Sequence, residues 1–189
     1  NPDNQLNTLT APRLLRHCIN HEHWSVFEQA DMTLEIKTSR DISPQILRHK
    51  TFSFQEFSQR YSVVTKLVPF ELRKQSEKNR QSSTDPLILD EETQHRLDAY
   101  LEEGMDLYGT LIEKGAAKEC SRKVLPMCAE TTMYMKGTVR SWIHYIDVRT
   151  RENTQKEHRE IAEAARKIFV ERFPNIAEAL GWTKPEKQI

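Results

Sequence analysis

The segment from Arg48 to Tyr61, RHKTFSFQEFSQRY, holds the residues best suited to bind a ligand. Two cations flank a histidine at its beginning, which suits a phosphate. Glu56 and Ser58 suit the edge of a sugar or base, and the aromatic rings can enclose a flat ligand. The run is too polar for a core strand and too aromatic for a flexible linker. An Arg-His-Lys triplet alone would indicate only a solvated helix end.

The elements before this segment must position it. Residues 32–36 alternate between apolar and polar side chains, which predicts a half-buried strand. Ser39 or Ser43 can cap a short helix with Pro44 in its first turn. That helix leads into the segment, so a strand and a helix together predict a site held by rigid elements.

The stretch from residue 64 to 89 has no periodicity and contains a long polar run, so it is predicted to be a mobile loop. Arg73, Lys74 and Arg80 could serve a phosphate if this loop were a lid over the site. A simple solvated loop is the favoured alternative.

Helices dominate the rest of the chain. Asp90 is predicted to cap a long helix that ends at Gly115, and its apolar stripe suits a core or a subunit contact. Residues 130–136 predict a second strand, and Thr138 caps the helix that follows. Residues 154–157 predict a capping box for a last long helix. The fold class is therefore α+β, as one domain over residues 1–189 with a central sheet flanked by long helices.

Composition excludes several classes of function. The 28 basic residues equal the 28 acidic residues, so no overall field favours nucleic acid or an anionic membrane. Five glycines form neither a phosphate-binding loop nor a dinucleotide motif, so arginines and helix N-termini must bind any phosphate. No apolar run reaches the length of a membrane span, and no signal peptide is recognisable.

Cysteine and histidine usage gives two smaller predictions. Cys18, Cys120 and Cys128 lack metal-ligand spacing, so we expect buried thiols in a reducing cytoplasm. His21 and His23 could be two metal ligands, but a ring stacked on a flat ligand or hydrogen-bonded in its loop is favoured, and no metal is expected.

Four blocks of the chain resemble the flavin-dependent thymidylate synthases, in the same order. That family carries Arg-His-Arg, seven residues and a serine; here Arg48-His49-Lys50 precedes Ser58 by the same interval. The blocks are RLLRHCINHEHWSVFEQADMTLEI, RHKTFSFQEFSQRY with Gln45 just before it, SRKVLPMCAET and GTVRSWIHYIDVR. The family's usual N-terminal strand and first helix are not recognisable, so we expect a trimmed N-terminus.

The resemblance implies a cytoplasmic homotetramer with active sites at subunit junctions and FAD shared between chains. It implies reductive methylation of dUMP to dTMP, with methylenetetrahydrofolate as one-carbon donor and NADPH as reductant. The conventional cysteine nucleophile is not needed in this family. The flavin supplies hydride chemistry that side chains do not provide.

The resemblance also implies roles for individual residues. The expected FAD contacts are His23, Ser25, Glu28, Arg48, His49, Lys50, Glu56, Thr138, Arg140 and His144. The expected dUMP contacts are Gln45, Arg48, Glu56, Ser58, Gln59, Arg60, Arg122 and Arg149. Arg149 is the expected catalytic residue, because a cation beside the uracil favours its deprotonated, nucleophilic form.

Three residues, Lys50, Thr138 and Asn153, depart from the family pattern, and two other functions stay open. Lys50 stands where the family usually has arginine, and Thr138 where asparagine is common. A non-catalytic relative that binds a nucleotide or a protein partner is the alternative to the enzyme. Nucleic-acid binding through the basic loop is disfavoured by the zero net charge.

Overall fold

Two nine-residue strands form most of the three-stranded sheet in the computed structural model, which describes residues 9–183. β1 (Asp31–Ser39) pairs antiparallel with β5 (Glu130–Thr138), and the short β2 (Ser53–Glu56) pairs with the other side of β5. The sheet order is therefore β1-β5-β2. The alternation of buried and exposed residues in β5 confirms the strand predicted there.

Seven α-helices surround this sheet in the described part of the chain. They are α1 (Ala11–Asn20), α2 (Ser43–Ile46), α3 (Glu91–Glu113), α4 (Lys118–Ser121), α5 (Val139–Arg149), α6 (Lys156–Arg172) and α7 (Pro174–Ala179). Short 3-10 helices cover Trp24–Glu28 and Arg122–Val124. The prediction of an α+β domain is confirmed.

The main core lies between the sheet, α5 and α6. Trp142, Tyr145 and Phe169 are fully buried there with Met133 and Met135 of β5. The ring of Phe52, just before β2, packs directly against Gly137 of β5, which has no side chain. A Cβ at residue 137 would lie 2.5 Å from Cδ1 of Phe52, so any larger residue here would displace this buried ring.

Two of the predicted helix caps are confirmed and two are wrong. Asp90 accepts a hydrogen bond from the Thr93 amide, and Thr138 accepts one from the Ser141 amide. Neither serine caps α2, whose N-cap is Ile42, and neither Thr154 nor Gln155 caps α6 with its side chain. The hydroxyl of Thr154 instead donates to the Val148 carbonyl at 3.4 Å.

The stretch from 64 to 89 is more ordered than predicted. It contains a two-stranded antiparallel hairpin of β3 (Arg73–Gln75) and β4 (Ser83–Pro86). The side chain of Arg73 is only 11% exposed and bonds both oxygens of Glu157, at 2.7 and 3.0 Å. Arg73 therefore anchors the hairpin to α6, so it is not the free cation that the lid alternative required.

The cysteines correct a further prediction. All three are free thiols, but Cys120 is exposed while Cys18 and Cys128 are half-buried. Burial raises the pKa of the Cys128 thiol. Across residues 9–183, no helix combines the length and apolar character that crossing a bilayer requires.

Candidate active site

The segment Arg48–Tyr61 contains a turn, the strand β2 and a second turn. Its polar composition argues against a strand inside a sheet, and the structure accordingly places β2 at the edge. Arg48 and Lys50 are exposed, whereas His49 is half-buried and Phe52 is buried. Arg48 and Lys50 therefore face solvent, while the residues around them are fixed in the core.

Glu56, the last residue of β2, is held by three donors. Its Oε1 accepts from Arg40 Nη1 at 2.5 Å, from Ser43 Oγ at 2.7 Å and from Thr131 Oγ1 at 2.7 Å. The Glu56 side chain is only 16% exposed. The three donors were not predicted, and they supply the pairing that a nearly buried carboxylate needs.

Arg149, at the C-terminus of α5, bonds to a histidine rather than to a carboxylate. Its Nε donates to Nε2 of His49 at 2.8 Å. Burial, the Arg149 charge and His144 lower the pKa of His49 from 6.5 to about 4. His49 is therefore neutral at pH 7 and accepts through Nε2. No carboxylate within residues 9–183 bonds Arg149, so its charge is available to an anionic ligand.

Two buried residues lie behind His49. Its ring meets that of Tyr145 edge-on, with 4.9 Å between ring centroids. Nε2 of His158 and the Tyr145 hydroxyl are hydrogen-bonded at 3.2 Å. Burial, then Arg149 and His49, lower the pKa of His158 to about 4, and burial raises the pKa of Tyr145. The side chains packed behind Arg149 are therefore neutral, so none of them neutralises its positive charge.

A cavity of about 800 Å³ opens at the beginning of α5. It brings together the predicted residues Glu28, Thr138, Arg140 and His144. Arg140 forms an ion pair with Glu28 across this cavity. The remaining lining residues, none of which was predicted, are Trp24, Thr51, Ser141, Ile143, Asp147, Leu180 and Trp182.

His23 and Ser25 are exposed and are not among the residues that line this cavity. The ring of His23 lies 5.9 Å from that of His21, whose own ring is 4.0 Å from His17. Nδ1 of His21 bonds the carbonyl of His17 at 2.9 Å, which confirms the hydrogen-bonded interpretation of His21. Residues 9–183 contain no cluster of three or more His, Cys, Asp or Glu residues suited to a metal ion.

The end of the segment lies beside α4. Arg60 Nε donates to Glu119 Oε2 at 2.9 Å, and the Arg60 amide donates to Ser58 Oγ at 3.2 Å. Gln59 carries a buried Nε2 that finds no acceptor in the described part of the chain. Arg122 begins the 3-10 helix that follows α4. These residues form a second polar group, in which the buried amide nitrogen of Gln59 has no acceptor among residues 9–183.

Gln45 joins the site to α6. Its Nε2 donates to Oε1 of Gln155 at 2.7 Å, just before the first residue of α6. Eight of the predicted residues thus lie in two groups, four at the cavity of α5 and four beside α4. Of the residues outside both groups, His49, Arg149, Gln45 and Glu56 are each fixed by their own contacts. The others are exposed, namely His23, Ser25, Arg48 and Lys50.

The comparisons with known proteins agree on one family. The family model described as "Thymidylate synthase complementing protein" matches residues 1–175. The chain is 52% identical over 188 residues to a probable flavin-dependent thymidylate synthase of Paramecium bursaria Chlorella virus 1, covering 96% of this chain and 86% of the relative. It is 55% identical over 174 residues to a flavin-dependent thymidylate synthase of Synechocystis sp., covering 90% and 80%.

The comparison with solved structures agrees with the sequence comparisons. The fold resembles a UMP/dUMP methylase, PolB from Streptomyces cacaoi, whose crystal structure contains 5-Br dUMP. The TM-score is 0.77 at 25% sequence identity, covering 90% of this chain and 79% of the other. The sequence therefore matches proteins named flavin-dependent thymidylate synthases, and the fold matches a protein named a UMP/dUMP methylase.

Proposed function

The chain belongs to the thymidylate synthase complementing proteins, the family of flavin-dependent thymidylate synthases, and on that premise we propose how its residues share the reaction. It is an FAD-dependent enzyme that converts dUMP to dTMP. Methylenetetrahydrofolate provides the carbon and NADPH the reducing equivalents. The observation that carries the assignment is identity above half along at least 90% of the chain.

The cavity at α5 fits a flavin nucleotide. Arg140 and His144 provide a cation and a ring, and the amides at the beginning of the eleven-residue α5 favour negative charge. Trp24 and Trp182 add apolar surface for a flat ring system. Thr138, Arg140, His144 and Glu28 would hold FAD here, with Arg48, His49, Lys50, Glu56, His23 and Ser25 completing its contacts. When bound, FAD supplies the hydride chemistry.

The dUMP site combines fixed cations with one carboxylate. Arg48, Arg60 and Arg122 would bind the phosphate, because guanidinium groups match its oxygens bidentately. Glu56, Gln45, Ser58 and Gln59 would bind the sugar and base. The buried Nε2 of Gln59, which has no acceptor among residues 9–183, supports a role in ligand binding.

Arg149 is the residue that would act on the uracil. Its guanidinium is held by neutral His49 and faces no carboxylate partner in the described structure. A cation held in this way stabilises negative charge as it develops on the base, without first releasing another anion. Arg149 would therefore make the uracil more nucleophilic, and no cysteine nucleophile is required.

The homotetramer is a separate proposal. The two groups of site residues lie on different elements, as expected if each active site combines residues of several chains. A groove of about 730 Å³ between α3, α6 and residues 68–73 leaves apolar side chains uncovered, with Tyr100 61% and Met127 66% exposed.

Light scattering should give four copies, and mixed Arg60→Ala and Arg140→Met chains should be more active than either variant alone. A monomer with full activity would contradict it.

We also propose a cytoplasmic location, because Cys18, Cys120 and Cys128 are all free thiols, as a reducing compartment maintains them.

The enzyme assignment is tested by spectroscopy followed by product analysis. The purified protein should show a flavin absorption band that bleaches on anaerobic addition of NADPH, faster with dUMP than without. Addition of methylenetetrahydrofolate should then give dTMP. A protein that cannot be loaded with FAD, or that binds dUMP without making dTMP, would instead be the non-catalytic relative.

A further inference from the structure

Glu56 faces the core side of the sheet, where a carboxylate is unexpected. It pairs with Met133 across the β2–β5 ladder, and Phe54 pairs with Met135 two residues away. Directly opposed residues share a face, so Glu56 lies on the same face as two fully buried methionines. A charge placed there must be paired and hydrogen-bonded.

The pairing is concentrated on one oxygen. Three residues donate to Oε1 of Glu56: Arg40 just after β1, Ser43 in α2 and Thr131 in β5. No donor within residues 9–183 reaches Oε2. Three bonds to one oxygen fix the rotation of the carboxylate and leave its second oxygen as the remaining acceptor.

Arg40 is itself fixed by its backbone. Its amide donates to the Ala129 carbonyl at 3.0 Å, two residues before Thr131 on the same part of the chain. This bond holds the backbone of Arg40 beside the chain that carries Thr131, and Ser43 follows Arg40 by three residues. The donors are arranged before any ligand arrives.

From this arrangement we propose that Arg40, Ser43 and Thr131 are positioning residues that hold Glu56 so that Oε2 accepts a hydrogen bond from the nucleotide. The inference rests on the proposed function, because it takes Glu56 to contact dUMP. It assigns a role to three residues that do not themselves reach the ligand. Their effect passes through the orientation of one carboxylate.

The experiment measures dUMP affinity in FAD-loaded protein. Arg40→Met and Thr131→Val should each raise the dUMP dissociation constant and KM at least tenfold, with flavin content and the KM for NADPH unchanged. Thr131→Ser keeps the hydroxyl and should stay within twofold of the wild type, and Arg40→Lys should recover part of the loss. Lys136→Met is the matched control, because Lys136 lies on β5 but pairs with Asp31 at 3.5 Å.

A double variant separates positioning from a purely structural role. If Arg40 acts through Glu56, Arg40→Met should add no further loss of dUMP affinity in a Glu56→Gln background. A lower melting temperature with unchanged dUMP affinity would overturn the inference, as would losses that multiply in the double variant. Should Arg40→Met fail to fold, Thr131→Val against Thr131→Ser decides. A wild type that binds no dUMP would overturn the proposed function itself.

Discussion

The two halves of the segment Arg48–Tyr61 differ in how firmly the chain holds them. In the first half, residues 48–56, Phe52 packs in the core, His49 bonds Arg149 and Glu56 bonds three donors. In the second half, residues 57–61, Tyr61 is 79% and Phe57 53% exposed. There the Arg60–Glu119 ion pair lies at the surface, with side chains 60% and 50% exposed.

This difference separates the part of the site that one chain arranges by itself from the part that one chain does not arrange. The first half owes its geometry to burial and to charged hydrogen bonds, so it is ready before the ligand binds. The second half has exposed rings and a weakly held arginine, so a ligand or another subunit must complete it. The variants below test this division, starting with the largest expected effect.

Replacement of Arg149 should have the largest effect on catalysis. Arg149→Met removes the cation held by His49 and should lower kcat/KM for dTMP formation about 10³-fold, the size typical of one lost stabilising donor. Arg151→Met is the matched control, because Arg151 lies two residues after Arg149, pairs with the exposed Asp147 and should keep near-normal activity. Flavin content should be equal in both, and an Arg149→Met variant with near-normal kcat/KM would remove Arg149 from the chemistry.

Truncating one aromatic ring in each half should affect stability unequally. Phe52→Ala leaves a cavity beside Trp142 and Tyr145 and should lower the free energy of unfolding by about 3–5 kcal/mol. Tyr61→Ala should change it by less than ~0.5 kcal/mol. Urea unfolding at fixed protein concentration measures both. A loss above about 1 kcal/mol for Tyr61→Ala would mean that its ring is covered in the assembly.

The neutral groups behind Arg149 predict how stability depends on pH. The pKa of buried His158 is 6.5 unfolded and about 4 folded, so between these values the unfolded state binds more protons. The contribution of neutral His158 to the free energy of unfolding is therefore complete above pH 6.5 and is lost as the pH drops towards 4. The share of His158 in that fall is about 3 kcal/mol.

His158→Gln should remove that share and make the profile less steep between pH 6.5 and 4, as measured by urea unfolding at several pH values; the share of His49, whose pKa is also lowered to about 4, remains. His95→Gln, at an exposed position of α3, should leave the profile unchanged. Equal slopes for the wild type and His158→Gln would show that His158 is protonated in the folded protein and would weaken the case for a neutral shell around Arg149.

Sequence patterns predicted the parts of this fold that depend on neighbouring residues. The alternation in β1 and β5 and the caps Asp90 and Thr138 follow from local chemistry, and all are present. The hairpin of β3 and β4 was missed because its strands are polar and exposed. What fixes it is the Arg73–Glu157 ion pair, which spans 84 residues.

The sequence predicted the residue types of the candidate site but not the contacts that hold those residues in place. Arg48–Tyr61 stands out by composition and by its motif. The donors to Glu56 come from 13, 16 and 75 residues away, and no periodicity connects them. One signal was present, since Glu56 falls on the same alternation as Phe52 and Phe54. A carboxylate in register with core residues predicts partners elsewhere in the chain.

The Arg60–Glu119 pair gives the smallest expected effect. Both side chains are largely exposed, so Glu119→Gln and Arg60→Ala should each change the free energy of unfolding by less than ~1 kcal/mol. The two variants should differ in their affinity for dUMP. Arg60→Ala should weaken dUMP binding about tenfold through the lost phosphate contact, while Glu119→Gln should leave it equal or tighter, because the guanidinium no longer has to exchange partners.

Calorimetric titration of both variants at two salt concentrations measures these affinities, and the loss in Arg60→Ala should shrink at high salt because an exposed charge is screened. If Glu119→Gln weakens dUMP binding as much as Arg60→Ala does, the carboxylate orients Arg60 for the phosphate. The second half of the segment would then be prearranged like the first, by a surface contact instead of burial. The contrast between the halves would be one of solvent exposure alone.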